Sequence, residues 1–577
     1  MPGSADAAVQ RVIHAIEMGS ASVWLRRALV CAVVVGLALF YLLHEFRGLA
    51  ASQAMDQAQI GRGLLHGQLW KTKVARPLAA GQLQRRGKKV AQKIWTDTYH
   101  APLPPLVDAI ALLPVRSHLQ MSPDDTIFVG DRVIAAMSIA LFLASIGVLF
   151  LIARRLFDRR LALLGCGLVL IGDIFWQYAL SGLPQMLLLL LFNLTIYVLV
   201  RAIEARADGK FPQRWLLLAG VGFGLLALTH ALAFWIFLPA LLFVALYFRP
   251  HLRSAALLLA PVVILYAPWL LRNYLVCGNP FGVAFYTIFD HLGMSDTGHM
   301  RQMGIDFSGV NAVAMRAKIS GNLSEQMGRI FQYLGWSVAA LFFFATLLHP
   351  FRRKPVAVTR WLLLALWVGA VLGMVVYGIT EEQGVAANQM HLLFIPLMTC
   401  FGLAFLLVQW NRLEIRFPFA RAGFLALIFL FCGWPMISNF FLSASKPGIR
   451  WPPYLPPYLA VLNKWMEPGE ITASDMPWAI AWYADRPAVY LPDTIRTFTE
   501  MSDYDALGGP IKAILLTPVS GSQNTLGDIT DGEYKDWAPV ILHSIDLQKF
   551  PLKVGTLLGP NNQCIFISNR DRSKEQK

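Results

Sequence analysis

Asp56 stands in the segment Ala54-Met55-Asp56-Gln57-Ala58-Gln59-Ile60-Gly61-Arg62-Gly63-Leu64-Leu65-His66-Gly67, just after the first long apolar run. The pattern predicts a short amphipathic helix that begins where the chain leaves the bilayer. Near a helix start, the free backbone N–H groups and the macrodipole favour an ionised carboxylate. Such a group takes a proton from an acceptor or holds a metal ion. The plainer alternative is a helix cap on a solvated loop. Further on, Tyr99-His100-Ala101-Pro102-Leu103-Pro104-Pro105-Leu106 places a phenol and an imidazole at the same level as Asp56.

The elements that must position these residues are membrane spans. The chain of 577 residues is 56% hydrophobic and 15% charged, with positive mean hydropathy. That balance excludes an ordinary soluble enzyme. Apolar runs predict spans near 27–45, 132–153, 161–179, 183–203, 214–230, 232–248, 254–272, 331–349, 360–379, 389–409 and 419–442. Trp215–Phe248 exceeds one ordinary span and is read as two short ones turning near Thr229-His230. No internal repeat supports a transporter built from inverted halves.

The net charge of +15 does not point to nucleic acid, because of where it lies. Arg154, Arg155, Arg159 and Arg160 follow the second span, and Arg201, Arg206, Lys210 and Arg214 the fourth. Arg249 and Arg253 follow the sixth, Arg352, Arg353, Lys354 and Arg360 the eighth, and Arg412, Arg416 and Arg421 the tenth. The connections around 180–182 and 380–388 carry no Lys or Arg. This positive-inside pattern puts the N-terminus in the cytoplasm. Loops 46–131 and 273–330, and everything after about 443, are then outside. Arg26-Arg27 precede Ala28–Leu43 with no small-residue cleavage site behind them, which reads as an uncleaved anchor. Of six cysteines only Cys277 and Cys564 fall outside, which leaves one disulfide open, and no Cys/His spacing marks a zinc knuckle.

The order of these motifs between spans resembles the GT-C superfamily of membrane glycosyltransferases. The likeness is to bacterial relatives of protein O-mannosyltransferases and of lipid A aminoarabinose transferase. In that family the first outer loop carries an Asp-Glu-Ala-like motif, then a helix ending in small residues, then a Pro-Pro-Leu segment. Here the motif reads Asp56-Gln57-Ala58. The resemblance covers the membrane region to about residue 445. It implies a polytopic all-α membrane domain of about 11 transmembrane helices over 1–445, with Asp56 on the outer loop 46–131.

The resemblance also assigns roles. Asp56 is expected to be catalytic, and Arg62, Tyr99, His100, His230, Arg272 and His391 to bind substrate. His230 and His391 stand where relatives carry cations, and Arg272 ends the seventh span before Gly278-Asn279-Pro280-Phe281. Each has a structural alternative: a satisfied core histidine or a snorkelling arginine. The one cofactor allowed is a divalent metal ion, with Asp56 and Asp173 as ligands. Gln185 stands where the family usually has a second acid. An acid as deep as Asp173 is costly unless paired or hydrated.

The outer loop also carries Lys71, Lys73, Arg76, Arg85, Arg86, Lys88, Lys89 and Lys93. They form either a solvated or headgroup-facing surface, or a capture site for an anionic lipid phosphate beside Asp56. Pro104–Leu113 predicts a short amphipathic helix lying along the interface. The loop 282–330 mixes polar residues with Phe285, Tyr286, Phe289, Met294, Met300 and Met303, and in the family such loops cover the lipid-donor cavity.

Residues 446–577 read as an extracytoplasmic α/β domain behind the aromatic–proline linker at 450–458. Strands are expected at Glu470–Ala473, Ala488–Leu491, Ile511–Thr517, Val540–Leu542 and Cys564–Ser568. No Gly-rich phosphate loop or nucleophile triad accompanies them. Acceptor binding or partner docking is therefore the expected role. The function expected overall is inverting transfer of a sugar from a polyprenyl-phosphate donor to a glycan, lipid or protein acceptor, outside a bacterial inner membrane. The partners are that donor, membrane lipids and the acceptor, with no nucleic acid. The competing readings are a lipid or polysaccharide transporter or flippase, and an inactive GT-C-like scaffold.

Overall fold

The computed structural model describes residues 20–49, 51–90, 94–290, 292, 299–305, 307–382, 384–415, 417, 419–442, 456–521, 529–530, 534–542, 550–558 and 564–574. Lys93, Met294, Arg416, the boundary at 445 and the linker segment 450–455 lie outside them. The chain forms two compact units, Met1–Arg47 and Gly48–Lys577. The first contains α1 (Ser20–Phe40), continued by a π-helical turn, Tyr41–Glu45. Its Trp24, Leu25, Leu29 and Val30 are exposed, as a helix facing lipid requires.

The second unit opens with α2 (Ser52–Leu65), which carries Asp56. Two short strands follow, β1 (Lys71–Thr72) and β2 (Val74–Ala75), then α3 (Pro77–Arg85) and β3 (Trp95–Thr96), which pairs with β1. The Pro-rich segment forms α4 (Leu103–Leu112), with prolines in its first turn. Leu106 and Ile110 of α4 are exposed, while Asp108 is buried against Gly61 of α2. This is the expected amphipathic helix, with its apolar edge outward.

The membrane helices are α5 (Val129–Leu156), α6 (Arg159–Leu170), α7 (Asp173–Ser181), α8 (Gln185–Ala207), α9 (Gln213–Thr229), α10 (Ala233–Tyr247) and α11 (His251–Cys277). After the partly helical 282–330 segment, which includes α12 (Ala312–Gly328), come α13 (Lys354–Tyr377), α14 (Ile395–Arg412) and α15 (Ala420–Ile437). Among the described residues six helices are long and apolar enough to cross a membrane, or seven if the pair α6–α7, bent by 57°, is one span. The shorter apolar helices α9 and α10 add to these, turning at His230 as expected. The chain is a multi-pass membrane protein.

Local chemistry explains the joints. Arg154 and Arg155 sit in the last turn of α5 and complement its dipole, while Asp131 in the first turn accepts from Trp482 Nε1 and the Tyr483 hydroxyl. Asp158 caps α6, accepting from the Leu161 N–H at 2.8 Å. Gly182 ends α7 with φ +77°, and a Cβ there would lie 2.5 Å from Leu49. Gly220 lets α9 approach α11, since a Cβ would meet the Leu258 carbonyl oxygen at 2.4 Å. The expected span 331–349 is instead three single turns, Ile330–Tyr333, Val338–Leu341 and Phe343–Thr346. The break falls where Gly335 and Trp336 take positive φ, and Ser337 restarts the helix by accepting from Ala340 N–H. The run expected at 389–409 begins as helix only at Ile395, where Pro396 suits the first turn.

The C-terminal region builds a sheet from β4 (Ile471–Ser474), β5 (Ala488–Tyr490), β6 (Ile511–Leu516), β7 (Val554–Leu558) and β8 (Cys564–Ser568), with a helix, α16 (Ile495–Asp503), before β6. The strand order is β2-β5-β4-β6-β8-β7, parallel from β2 to β6 and antiparallel thereafter. The outer loop therefore supplies the edge strand of the tail's sheet. Val540–Leu542, expected as a strand, falls in a helical turn that Pro539 opens. Val554–Leu558 is a strand that the apolar runs did not mark. Phe498, Leu507, Ile514, Trp537 and Leu552 fill the core beside the sheet.

Candidate active site

Asp56 lies on α2 and is 2% exposed. Its Oδ2 pairs with Nη2 of Arg76, and its Oδ1 accepts from Gln59 Nε2 at 3.1 Å. Gln59 also donates to Thr72 and accepts from the Lys73 N–H, which locks α2 to β1 and β2. Arg76, at the end of β2, reaches Asp97 at 3.7 Å with its other nitrogen. Its guanidinium lies over the Tyr99 ring, 4.1 Å from the centroid. His100 bridges the two acids: Nδ1 is 3.3 Å from Asp97 and Nε2 is 3.7 Å from Asp56. The Asp97 carboxylate also accepts the His100 and Tyr99 backbone N–H groups.

Burial alone would raise the Asp97 carboxyl, but His100, with Arg76 and Arg272 behind it, outweighs that and holds it at about 2. Burial pushes the Tyr99 phenol up to about 12, although Arg76 works against it. The Nε2 of His100 has no hydrogen-bond partner among the described residues. With Nδ1 turned to Asp97, that nitrogen faces Asp56.

Tyr99 and His100 open on a cavity of about 240 Å³ at one end of the helix bundle. Its walls also include His230, Asn273, Asp290, Glu382 and Asn388. Glu382 holds the first turn of α2, accepting from Ser52 N–H at 2.8 Å and Ser52 Oγ at 2.7 Å. His230 accepts from the Leu232 N–H through Nδ1. Arg272 stands beside the cavity, donating to Asn273 Oδ1 at 2.8 Å and lying over Trp269. Asp56 itself does not line the cavity; His100 stands at its wall and reaches back to Asp56.

Other expected residues are placed elsewhere. Arg62 is committed to the tail: it pairs with Asp485 at 2.6 Å and donates to the Trp482 and Ala481 carbonyls. His391 is fully buried, stacked on Tyr333 and accepting from Trp367 Nε1 at 3.0 Å. Gln185 donates to the Ala387 carbonyl at 2.5 Å and so holds the loop after α13 that walls the cavity. Asp173 accepts from Gln177 and Asn439. The basic loop residues are largely spent on the protein. Lys73 pairs with Asp485, Arg85 donates to Met303, and Arg86 and Lys88 donate to the Tyr274 and Leu275 carbonyls at the end of α11.

A metal fits poorly at Asp56. The Arg76 guanidinium already supplies the positive charge there, and among the described residues no three His, Cys, Asp or Glu side chains are arranged to hold a metal ion. Arg76, Asp97, Gln59 and Glu382 were not singled out as site residues by sequence. Arg76 was visible only as one of eight loop cations.

Comparison with solved structures gives ArnT from Cupriavidus metallidurans in the apo state at 13% identity and a TM-score of 0.53, covering 96% of this chain and 98% of that one. The same protein bound to undecaprenyl phosphate gives 12% and 0.51, covering 96% and 99%. The fold is that of the GT-C superfamily. A second GT-C structure, the archaeal oligosaccharyltransferase AglB from Archaeoglobus fulgidus with an inhibitory peptide and a dolichol-phosphate, matches at 12% and 0.53, over 95% of this chain and 75% of that one. The oligosaccharyltransferase from the same organism, in complex with Zn and sulfate, matches at 12% and 0.51, over 88% and 70%. Residues 127–271, from the end of the outer loop into α11, match the family described as dolichyl-phosphate-mannose-protein mannosyltransferase. No curated protein matches the chain. Within this GT-C fold, the cavity is bordered by the first outer loop and by the wall loop after α13.

Proposed function

We propose that the chain transfers a sugar from a polyprenyl-phosphate-linked donor to an extracytoplasmic acceptor at a bacterial inner membrane, with inversion at the anomeric carbon. The observation that carries this reading is the Asp56–His100 pair beside a polar cavity in a GT-C fold. Solved relatives with this fold hold undecaprenyl phosphate or dolichol-phosphate, which supports a lipid-phosphate donor.

Asp56, paired with Arg76, and His100, oriented by Asp97, together take the proton of the acceptor hydroxyl or amine. The acceptor atom then bonds the anomeric carbon while the bond to the lipid phosphate breaks. His230 and Arg272, on and beside the cavity wall, are the groups placed to offset charge on the departing phosphate. Tyr99 shields the Arg76 side of the site from the cavity. The Zn-containing relative leaves a divalent ion open for the family, but no step here is routed through one.

Deleting the coding sequence and extracting lipid-linked sugars tests the reading. A polyprenyl-phosphate sugar should accumulate, with a surface glycan, lipid or protein losing that sugar. An unchanged lipid pool and unchanged surface sugars would overturn it.

A further inference from the structure

A second cavity, of about 300 Å³, lies across the wall loop from the first. Neighbouring acids divide between them: Glu382 faces the first cavity and Glu381 the second. Tyr178 pins the wall, its hydroxyl accepting from the Ala386 N–H at 2.9 Å and lying 3.2 Å from the Ala386 carbonyl oxygen. The two chambers are thus separate, and the second belongs to no group named above for the reaction.

Three observations say what it holds. First, its lining is polar but carries no Lys, Arg or His among the described residues, which disfavours a phosphate or other anion. Carboxylates and amides dominate instead: Asp173, Glu381, Gln177, Gln389 and Asn439. Asp173 is oriented by Gln177 at 2.6 Å and Asn439 at 2.7 Å. Second, the 57° break between α6 and α7 falls directly before Asp173. Broken backbone and an acid at membrane depth are tolerated where they line a hydrated or ligand-filled chamber. Third, Trp336 on the cavity wall is 48% exposed and holds φ +57°. A bulky residue in the left-handed region is strained, and such strain is retained where a side chain must be presented.

Gln389 is spent on the protein, bonded to the Tyr333 carbonyl and the Leu392 N–H, so the Asp173 and Glu381 carboxylates are the acceptors for hydroxyls. With an exposed indole face beside them they meet what a sugar ring requires, polar edges and an apolar face. We infer that this chamber is a carbohydrate subsite that takes a neutral or amino-sugar unit of the acceptor, remote from the reacting atom. The inference rests on the transferase reading for the word acceptor, but the binding itself does not.

The test uses the full chain in lipid nanodiscs, with saturation-transfer NMR against glucosamine and β-1,4-linked N-acetylglucosamine trimers. Binding of undecaprenyl phosphate is measured on the same samples. Trp336→Gly removes the indole and suits the left-handed backbone, so it should fold. Glu381→Gln removes one charge at the exposed rim. Wild type should bind at least one sugar probe, and Trp336→Gly should weaken it at least tenfold while leaving undecaprenyl phosphate binding unchanged. Glu381→Gln should weaken the amino sugar most. No sugar binding by wild type, or equal binding by wild type and Trp336→Gly, overturns the subsite. Failure of wild type to bind undecaprenyl phosphate while sugar binding still depends on Trp336 would strike the transferase reading and uphold the subsite.

Discussion

Replacing Arg76 by Met removes the cation shared by Asp56 and Asp97 while keeping an unbranched apolar side chain. All three residues are at most 4% exposed, so neither acid is compensated by bulk water. Removing one member of a buried ion pair costs about 3–5 kcal/mol, because a charge is left unpaired. A smaller part of the effect belongs to Asp97, whose carboxyl sits at about 2 against its ordinary 3.8, held there first by His100 and then by Arg76. That gap corresponds to ~2 kcal/mol of stability at neutral pH. Since the folded value is the lower one, this stability is present above about pH 4 and is lost as the pH falls toward 2. Thermal unfolding of purified wild type and Arg76→Met, at pH 7 and pH 5, measures the loss. The variant should be clearly less stable at both pH values, because Asp97 stays ionised well below pH 5. The double variant Arg76→Met/Asp56→Asn should recover ~2 kcal/mol or more through the coupling of the pair. A single variant as stable as wild type at pH 7, or a double variant with additive losses, would refute the shared-cation account.

Asp485→Asn should leave the buried Arg62 without its ion pair, costing roughly 1.5–3 kcal/mol and speeding limited proteolysis of the tail; wild-type protease resistance would contradict this. A reporter inserted at 206–210 should behave as cytoplasmic and one fused after residue 445 as extracytoplasmic, and both on one side would break the topology. Because Arg76 already neutralises Asp56, EDTA should leave sugar transfer unchanged, and a loss restored by added Zn²⁺, Mg²⁺ or Mn²⁺ would show that a metal enters the site.

Most of the spans were legible because an apolar run of membrane length has few other uses. Asp56, Tyr99 and His100 were legible as a group from their order after the first span, and the structure brings them together. What completes the site was not. Arg76 meets Asp56 only because β2 is drawn into a sheet with Ala488–Tyr490, and a two-residue parallel pairing across that separation leaves no local pattern. Arg62 sits within the same motif yet faces the tail, since three or four residues along a helix keep one face and six do not. The broken span at Gly335-Trp336 was hidden for another reason: hydropathy counts a tryptophan but not its φ. The 445/446 division used for the domains is crossed by β2 and by the Arg62–Asp485 pair, so the outer loop and the tail share a sheet and an ion pair.

The central claim is that Asp56 serves chemistry rather than capping a helix, and Asp56→Asn tests it most directly. Asn keeps the size and one oxygen but neither the charge nor the basicity, and as a helix cap it would be equally good. Transfer from the accumulated polyprenyl-phosphate sugar is measured with purified protein, alongside undecaprenyl phosphate binding and the melting midpoint, because Asn also unpairs Arg76. Loss of the base should slow transfer by ~100- to 10,000-fold in a folded protein that still binds the lipid phosphate. Near-normal turnover by folded Asp56→Asn protein would contradict the account.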